Sequence, residues 1–263
     1  MCLIAFAHQT HPQYRLVLVA NRDEFYDRES SAMHWWPDDD SILAGRDEVA
    51  KGTWLGMNRS GKWSAVTNFR GPSPAGSFEN PANPISRGDL VKNYLAGDDS
   101  AQQYREKIKT KLEKFSGFNL LIGDRENVFW ISNRNQLTGK LDDGPLAPGL
   151  YGLSNHLLDT DWPKLTLAKQ RLEDRMLKFD SSVELIDTLQ DQTRPSDDRL
   201  PDTGVGLEKE RLLSSMFIES KPFNYGTRCS TVLTISNDNE ISVFEKTYPS
   251  NTIVEHRFTC SVD

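Results

Sequence analysis

The stretch that decides the fold is CLIAFAHQTHPQYRLVLVAN, residues 2–21. It contains two apolar runs, 2–9 and 14–21, which are separated by the polar turn at 10–13. Short apolar runs on either side of a polar turn predict a β-hairpin. Because the first run begins at the second residue of the chain, this hairpin is expected to carry the chain terminus into the core of the protein.

The turn length predicts which residues face each other across this hairpin. A four-residue turn pairs residues whose numbers sum to about 23, which puts Cys2 opposite Asn21. On this register Asp23 shares a face with Cys2, whereas a slip of one residue brings Arg22 onto that face instead. In either case the polar run 21–24, Asn-Arg-Asp-Glu, ends beside the chain terminus.

Polar residues directly after a buried strand need partners, and two interpretations of residues 21–24 are open. In the first they form an ordinary turn, in which Asn21 and Asp23 cap the backbone and Arg22 pairs with Glu24. In the second they belong to a chemical site built around Cys2. Their position beside the first residues of the chain favours the second interpretation.

Further hairpins and helices follow along the chain. Three more pairs of apolar runs predict hairpins at 52–58 with 62–68, 118–123 with 127–133, and 229–236 with 240–246. Helical patterns are predicted at about 86–98, 101–115, 163–178, 182–191 and 205–219, the first of them after a loop rich in Pro and Gly at 71–84. The polar segments 24–50 and 193–204 are expected to be lids or surface loops.

These elements predict an α+β protein in which hairpins form two sheets with helices outside. No repeat or linker divides the sequence, so one domain covering 1–263 is expected. Its net charge of −7 excludes a polycationic stripe for phosphates, and we expect no nucleic-acid partner. The apolar runs are far shorter than the roughly 20 residues that cross a bilayer, and we expect no transmembrane segment.

The cysteines and histidines indicate the compartment and argue against a metal site. Three cysteines without a C-x-x-C pair fit neither a disulfide framework nor a structural zinc site. The first residues also lack a basic segment typical of a secretory signal. A reducing, cytoplasmic location is therefore predicted. None of the five histidines stands in a helical metal-binding pair, so no metal site is predicted.

Cys2 could carry chemistry that an interior cysteine cannot. Removal of Met1, which a residue as small as Cys2 permits, would leave Cys2 with a free α-amino group whose reference pKa is about 7.7–8.0. Such an amine can accept the proton of its own side-chain nucleophile. A neighbouring Arg22 would favour the thiolate, and Asp23 could hold the ammonium. The alternative for Cys2 alone is a small buried hydrophobe.

At these residues the sequence resembles the NRDE family, which includes the transport and Golgi organisation protein 2 group. The resemblance begins with Met1-Cys2 and the Asn-Arg-Asp-Glu run at 21–24. It continues in order through the motifs at 52–56, 68–70, 86–88, 152–155 and 225–232. It implies the four-layer αββα sandwich of N-terminal-nucleophile (Ntn) hydrolases, in agreement with the hairpins and helices above.

A more distant similarity to cysteine amidases of the bile-salt and penicillin V acylase type implies a set of site residues. Carried over to this chain, the catalytic positions are Cys2, Arg22, Asp23, Asn68, Asn155 and Arg228. Asn68 and Asn155 each end a strand, and their amides could hold a developing oxyanion, although Asn155 could equally cap a helix. Arg228 could pair with Asp23 or with a substrate carboxylate. Asn21, Glu24 and Arg228 are further predicted to contact the ligand.

Two functions remain open at this point. The first is a hydrolase in which Cys2 attacks an acyl amide or thioester, a reaction that requires no cofactor. The second, implied by the family resemblance, is an intracellular carrier of heme, acyl-CoA or lipid, with heme as cargo. Both predict a small-molecule ligand, and neither specifies an oligomeric state.

Overall fold

The computed structural model describes residues 2–72, 79–135 and 144–260. The centre of the predicted loop 71–84 and the predicted processing site at Met1 lie outside these residues. Within the described ranges the chain forms two compact units, and each unit is assembled from separate segments of the sequence. The first unit contains the N-terminal hairpin and most of the C-terminal half, and the second contains most of residues 28–146.

The first unit contains a seven-stranded antiparallel sheet among the described residues. Its central strand β2, Tyr14–Phe25, lies between β1, Cys2–His8, and β11, Tyr225–Ser236. The remaining strands of this sheet are β9 (Gly149–Leu153), β10 (Glu219–Ser220), β12 (Glu240–Thr247) and β13 (Ile253–Thr259). All seven residues of β1 are buried, so the first hairpin lies in the core as predicted.

The register of the first hairpin differs by one residue from the predicted one. Cys2 pairs with Arg22, and Leu3 pairs with Asn21. The backbone hydrogen bond from Gln9 to the Arg15 carbonyl closes the turn, and Gln9 takes a positive φ of 52°. The prediction that Cys2 faces Asn21 is therefore wrong, and Arg22 replaces Asp23 on the face of Cys2. The reason is that Gln9 pairs with Arg15 and not with Tyr14, so the turn contains five residues, 10–14, where four were predicted.

One face of this sheet is covered by helical segments. Helix α3, Pro163–Met176, begins with Pro163, whose fixed φ suits the first helical position. A 3₁₀ helix, Ser182–Leu189, packs beside it. Leu3, Val17 and Val19 face this helical layer and form a shared core with Leu165 and Leu172. Because side chains alternate along a strand, Cys2 points to the opposite face of the sheet.

In its described residues, the second unit contains a six-stranded antiparallel sheet with two α-helices. Its strands follow each other in sequence order: β3 (Ser30–Trp36), β4 (Asp39–Asp47), β5 (Leu55–Asn58), β6 (Trp63–Asn68), β7 (Phe118–Gly123) and β8 (Val128–Ser132). Helices α1, Gly88–Ala96, and α2, Ala101–Lys109, share its core. A capping box between Ser100 and Gln103 starts α2 by satisfying backbone N–H groups at its first turn.

Several predicted elements change in the structure. The segment 24–50, expected to be a loop, contains the end of β2 and the hairpin β3–β4, whose partly solvated strands carry polar residues. The predicted helix 205–219 shortens to α4, Leu207–Leu212. It ends there because the Ser214 hydroxyl donates to the Arg211 carbonyl at 2.7 Å and competes with the helical pattern. The four predicted hairpins are all present. The single domain over 1–263 stays a prediction.

Candidate active site

The candidate site in the first unit is centred on the pair formed by Cys2 and Arg22. Cys2 is the first described residue of β1, and only 7% of it is exposed. Arg22 lies opposite it on β2 and is 8% exposed. The Ser154 hydroxyl donates a hydrogen bond to the Cys2 carbonyl at 3.0 Å. A thiol and a guanidinium are thus held on one face of the sheet, at the end where the chain begins.

A β-bulge on the other side of β2 places Arg228. Thr227 pairs with Asp23 and Cys229 pairs with Arg22, which leaves Arg228 as the extra residue between them. A bulge re-aims the side chain of the extra residue. The Arg228 guanidinium donates to the Phe25 carbonyl at 2.8 Å. This main-chain partner differs from the two that the sequence suggested, Asp23 and a substrate carboxylate.

The two arginines lie close enough to influence each other. Burial lowers the pKa of the Arg228 guanidinium, and the positive charge of Arg22 lowers it further. Like charges brought together in a partly buried position favour an anion between or beside them. The pair therefore provides the chemistry for recognising a carboxylate or phosphate.

Asp23 lies on the other face of β2, toward the helical layer. Its carboxylate accepts a hydrogen bond from the Thr227 hydroxyl at 2.8 Å, and that hydroxyl accepts one from the Ile218 amide at 2.9 Å. The Tyr225 hydroxyl donates to the Asp23 carbonyl at 3.0 Å. Burial raises the pKa of Asp23, while the positively charged chain N-terminus, Lys164 and the Thr227 hydrogen bond oppose this shift.

Asn21 belongs to the framework of the site. It is fully buried, and its amide nitrogen donates to the carbonyls of Leu189 and Met216, each at 2.9 Å. Its amide oxygen accepts a hydrogen bond from the Ser230 hydroxyl at 2.6 Å. These bonds occupy both donor hydrogens of the amide and one acceptor position. Such contacts join β2 to β11 and the helical layer, and they do not support the predicted ligand-binding role of Asn21.

Glu24 differs from Asn21 because part of its side chain is exposed. Its carboxylate accepts a hydrogen bond from the Phe25 amide at 2.9 Å, and its strand position faces Gly226. The simple turn interpretation of residues 21–24 does not hold, since all four residues lie within β2. The contact of Glu24 with a ligand stays a prediction.

The protonation state of Cys2 departs from the expectation that Arg22 would favour a thiolate. Burial raises the pKa of the Cys2 thiol to about 11 and the Asp23 carboxylate raises it as well, whereas the positively charged chain N-terminus and Arg22 lower it. Desolvation disfavours the charged form of any buried thiol, and here it exceeds the effects of both positive charges. Cys2 is therefore a neutral thiol at physiological pH, and it needs a base to become a nucleophile.

The two predicted amide residues lie in the second unit, where they contact each other. Asn68 ends β6, and its carbonyl accepts a hydrogen bond from the Asn155 side-chain amide at 2.9 Å. Asn155 is fully buried, and its own carbonyl accepts from the Arg70 amide at 2.6 Å. Asn155 caps no helix, because α3 begins later and has Trp162 at its N-cap. The structure thus groups Cys2, Arg22, Asp23 and Arg228 in one unit, and Asn68 with Asn155 in the other.

Three residues of this site were not found from the sequence. Thr227 and Ser154 stand inside motifs that the resemblance uses, at 225–232 and 152–155, and a hydroxyl beside a buried acceptor is the signal that could have found them. Lys164 has no motif. Its signal is a basic residue in the first turn of a helix, a place where the helix dipole disfavours positive charge.

The described ranges have neither a metal-binding cluster nor a membrane-spanning helix. They contain no group of three or more His, Cys, Asp or Glu side chains placed to hold a metal ion. No helix in that part of the chain is long and apolar enough to cross a membrane.

Comparison with solved structures defines the class of fold. The chain resembles the N-acylethanolamine-hydrolyzing acid amidase ortholog of Caenorhabditis elegans, with a TM-score of 0.50, 12% identity, and coverage of 88% of this chain and 92% of that one. The chain has the Ntn-hydrolase fold, as the resemblance predicted. An identity of 12% supports the fold alone.

Sequence comparison then identifies the family. The profile of the family Transport and Golgi organisation 2 matches residues 1–250. The Transport and Golgi organization protein 2 homologs of Bos taurus and Homo sapiens are 34% and 32% identical, over 94% of this chain and 92% of each relative. The Drosophila melanogaster protein is 28% identical over the same shares. This chain belongs to the Transport and Golgi organisation 2 family, as its motifs predicted.

Proposed function

We propose that this protein is an N-terminal cysteine hydrolase that cleaves acyl amide or thioester bonds of a small molecule, with Cys2 as its nucleophile. The observation that carries the proposal is the placement of Cys2 at the start of a buried strand, directly opposite Arg22. Only a cysteine at that position gains an α-amine when the preceding Met1 is removed. The three cysteines form no disulfide with one another, which supports action in the reducing cytoplasm.

The raised pKa of the Cys2 thiol makes the α-amine necessary to the reaction. The amine takes the proton of the thiol, and the sulfur attacks the acyl carbonyl to form a C–S bond. The tetrahedral intermediate then collapses, and its C–N or C–S bond to the leaving group breaks. The leaving group takes the proton back from the ammonium. Water, which the amine deprotonates, finally attacks the acyl-enzyme, so that a carboxylic acid and the free thiol are released.

The other residues have separate roles in this proposal. Asp23, held by Thr227, holds the ammonium in place. Arg22 opposes the effect of burial on the Cys2 thiol, and Arg228 binds an anionic group of the substrate. The oxyanion role of Asn68 and Asn155 stays a prediction, and the Asn155 side-chain amide donates to the Asn68 carbonyl. No cofactor takes part in these steps.

A fold neighbour supports the class of bond. The solved Caenorhabditis elegans protein is named for hydrolysis of an N-acylethanolamine, which is an acyl amide. Folds host more than one chemistry, so its substrate does not transfer to this chain, and the proposal rests on the residues around Cys2.

The alternative is a carrier of heme or acyl-CoA that carries out no reaction. The neutral state of the Cys2 thiol favours it if Met1 is retained, because the site then has a buried thiol without its base. Arg22 and Arg228 would bind a propionate of heme or a phosphate of acyl-CoA, and heme would be cargo.

The two functions are separated by substituting Cys2. We expect Cys2→Ala to reduce hydrolysis of acyl amides and acyl-CoA by at least about 10³-fold, because covalent catalysis cannot proceed without its nucleophile. Cys229→Ala is the matched control, since Cys229 also pairs with Arg22, and it should retain activity. Binding of heme and of acyl-CoA is measured on the same samples. Absence of hydrolysis in all three proteins, with tight binding unchanged by either substitution, would reject the enzyme and support the carrier.

A further inference from the structure

Arg134 is a buried cation of the second unit for which the proposed reaction provides no role. It lies two residues after the end of β8, and only 2% of it is exposed. Burial lowers the pKa of its guanidinium, and no carboxylate among the described residues raises that pKa. Burying a charge is costly unless an opposite charge compensates for it. In the part of the chain that the structure describes, Arg134 therefore has no counter-ion.

The hydrogen bonds of the Arg134 guanidinium go to neutral oxygens. Its Nη1 donates to the Asn133 carbonyl at 3.2 Å, and its Nη2 donates to the side-chain oxygen of Asn80 at 2.8 Å. A guanidinium has five N–H donors in a planar arrangement that matches the oxygens of a carboxylate or a phosphate. The group thus has the charge and the donor geometry to bind an anion.

A second donor converges on the same oxygen of Asn80. The Gly117 amide donates to it at 3.1 Å, beside the bond from Arg134. A Cβ atom on residue 117 would lie 3.3 Å from Arg134 Nε, so the glycine allows the guanidinium to lie against the backbone. Asn80 belongs to no helix or strand, and it is exposed. An exposed loop residue therefore supplies a neutral oxygen at the point where a backbone N–H and a guanidinium are both aimed.

A second guanidinium contacts the carbonyl of Gly117. Arg87, directly before the first residue of α1, donates from Nη1 to that carbonyl at 3.1 Å. The Phe69 amide donates to the same carbonyl at 3.0 Å and joins the end of β6 to this region. Two positive charges thus border Gly117, and both favour a negative charge beside it.

We propose that the Arg134 guanidinium and the Gly117 amide form a binding site for a small oxyanion, a phosphate or carboxylate group, whose oxygen replaces the side-chain oxygen of Asn80. Hydrogen bonds to an ionised acceptor are about twice as strong as neutral ones, so the anion displaces an amide oxygen that carries no charge. Asn80 is an exposed loop residue, so its side chain can give way to a ligand from solution. All of these residues belong to the second unit, so the site is distinct from the pair of Cys2 and Arg22.

The direct test is titration calorimetry with inorganic phosphate at constant ionic strength. We expect saturable binding to the wild type, weakened at least about 10-fold in Arg134→Met, because the only buried charge of the site is lost. Arg46→Met is the matched control, since both of its terminal nitrogens already bond to Asp38, at 2.5 and 2.7 Å, and it should bind phosphate as the wild type does. Binding that persists unchanged in Arg134→Met would belong to another site, such as Arg22 and Arg228, and would overturn the proposal.

Substitutions of Asn80 test where the anion binds. Asn80→Ala removes the oxygen that competes with the anion and should raise the affinity for phosphate by about 3-fold or more. Asn80→Asp places a carboxylate at the same point and should lower that affinity at least about 10-fold, because the site then holds its own anion. Both variants change an exposed residue, so they decide the matter even if Arg134→Met does not fold. Equal affinities of the wild type and both Asn80 variants would contradict the proposal.

Two further measurements identify the ligand chemistry and check the site by stability. Tighter binding of phosphate than of acetate to Asn80→Ala would assign the site to a phosphate group, and the reverse order would assign it to a carboxylate. At a phosphate concentration about ten times Kd, the Tm of the wild type should rise by about 3–5 °C, and that of Arg134→Met by less than about 1 °C. If neither anion binds to the wild type or to Asn80→Ala, Arg134 is a purely structural residue and the proposal is wrong.

Discussion

Two buried thiols lie on either side of Arg22, and their comparison shows what distinguishes a potential nucleophile from a core residue. Cys2 on β1 and Cys229 on β11 both pair with Arg22, and each is 7% exposed. Burial raises the pKa of both thiols, and Arg22 lowers both. Each thiol also has a carboxylate neighbour that raises its pKa further, Asp23 for Cys2 and the buried Glu245 for Cys229.

The difference between the two thiols is therefore not burial or the nearby arginine. Cys2 gains an α-amine when Met1 is removed, whereas Cys229 lies inside β11 and gains none. An amine whose pKa lies near neutrality can take the proton of a thiol. A neighbouring carboxylate disfavours the thiolate, because the two negative charges repel each other. Activation thus depends on the position of Cys2 in the chain as well as on the fold around it.

The largest effect is expected from keeping Met1 in place. Protein made while methionine aminopeptidase is inhibited should lose at least about 10³-fold in hydrolysis, because the base that activates Cys2 is missing. Intact mass measures the fraction that retains Met1. Untreated protein should have lost Met1, and equal activity of the two preparations would contradict the role of the amine. Such a result would make Cys2 and Cys229 equivalent.

Competitive alkylation compares the two thiols directly. At pH 6.5 we expect Cys2 to react at least about 10-fold faster than Cys229 or Cys260, as quantified by peptide mass spectrometry, because only Cys2 has an adjacent base. The protein that retains Met1 is the control, and its Cys2 should react as slowly as Cys229. Equal labelling of all three cysteines in processed protein would remove the evidence for an activated nucleophile.

The framework beside Cys229 can be weakened without touching Cys2. Asn21→Leu should lower the free energy of unfolding by about 2–4 kcal/mol, because it leaves the buried Ser230 hydroxyl and two carbonyls without their partner. Chemical denaturation measures this change. Glu24→Gln, at a partly exposed neighbour, should stay within about 0.5 kcal/mol of the wild type. A small effect of Asn21→Leu would mean that its hydrogen bonds are not structural.

Alkaline pH should lower the stability of the folded protein through the ionisation of both thiols. A raised thiol pKa means that the folded state holds its proton more tightly than the unfolded state. The resulting stabilisation is complete below the unfolded pKa of about 8.5 and is lost as pH rises through about 11 for Cys2.

The corresponding measurement compares unfolding at pH 7.5 and pH 10.5. Between these two pH values, the free energy of unfolding of Cys2→Ala and of Cys229→Ala should each fall by about 1–2 kcal/mol less than that of the wild type. If the free energy of unfolding of the wild type changes with pH as much as that of both variants, neither thiol has a raised pKa.

The hairpins could be predicted because their information is local. Runs such as 118–123 and 127–133 contain both the apolar residues and the turn between them, and the structure confirms them as β7 and β8. Strands with one solvated face were missed. The strands at 30–36 and 39–47 contain several Ser and Asp residues, which interrupt their apolar pattern. Strand β13 alternates between exposed and half-buried residues, so it too lacks the apolar run of a buried strand.

The sequence predicted which residues form the candidate site, but only partly how their side chains are arranged. Cys2, Arg22 and Asp23 do lie together, but the register moved by one residue and exchanged the faces of Arg22 and Asp23. Side chains alternate with a period of two, so the smallest error in a turn reverses every assignment of a face. The bulge that places Arg228 depends on the pairing of β11 with β2, which are about two hundred residues apart in the sequence.

The sequence by itself determined the family, the N-terminal hairpin and the position of a cysteine beside an Asn-Arg-Asp-Glu run, since each of these is encoded by neighbouring residues. Only the tertiary structure decided that Asn21 bonds to Leu189, Met216 and Ser230, and that burial raises the pKa of the Cys2 thiol. Protonation and hydrogen bonding in a core depend on desolvation and on partners from distant segments, and neither quantity is a property of the residue's neighbours in the sequence.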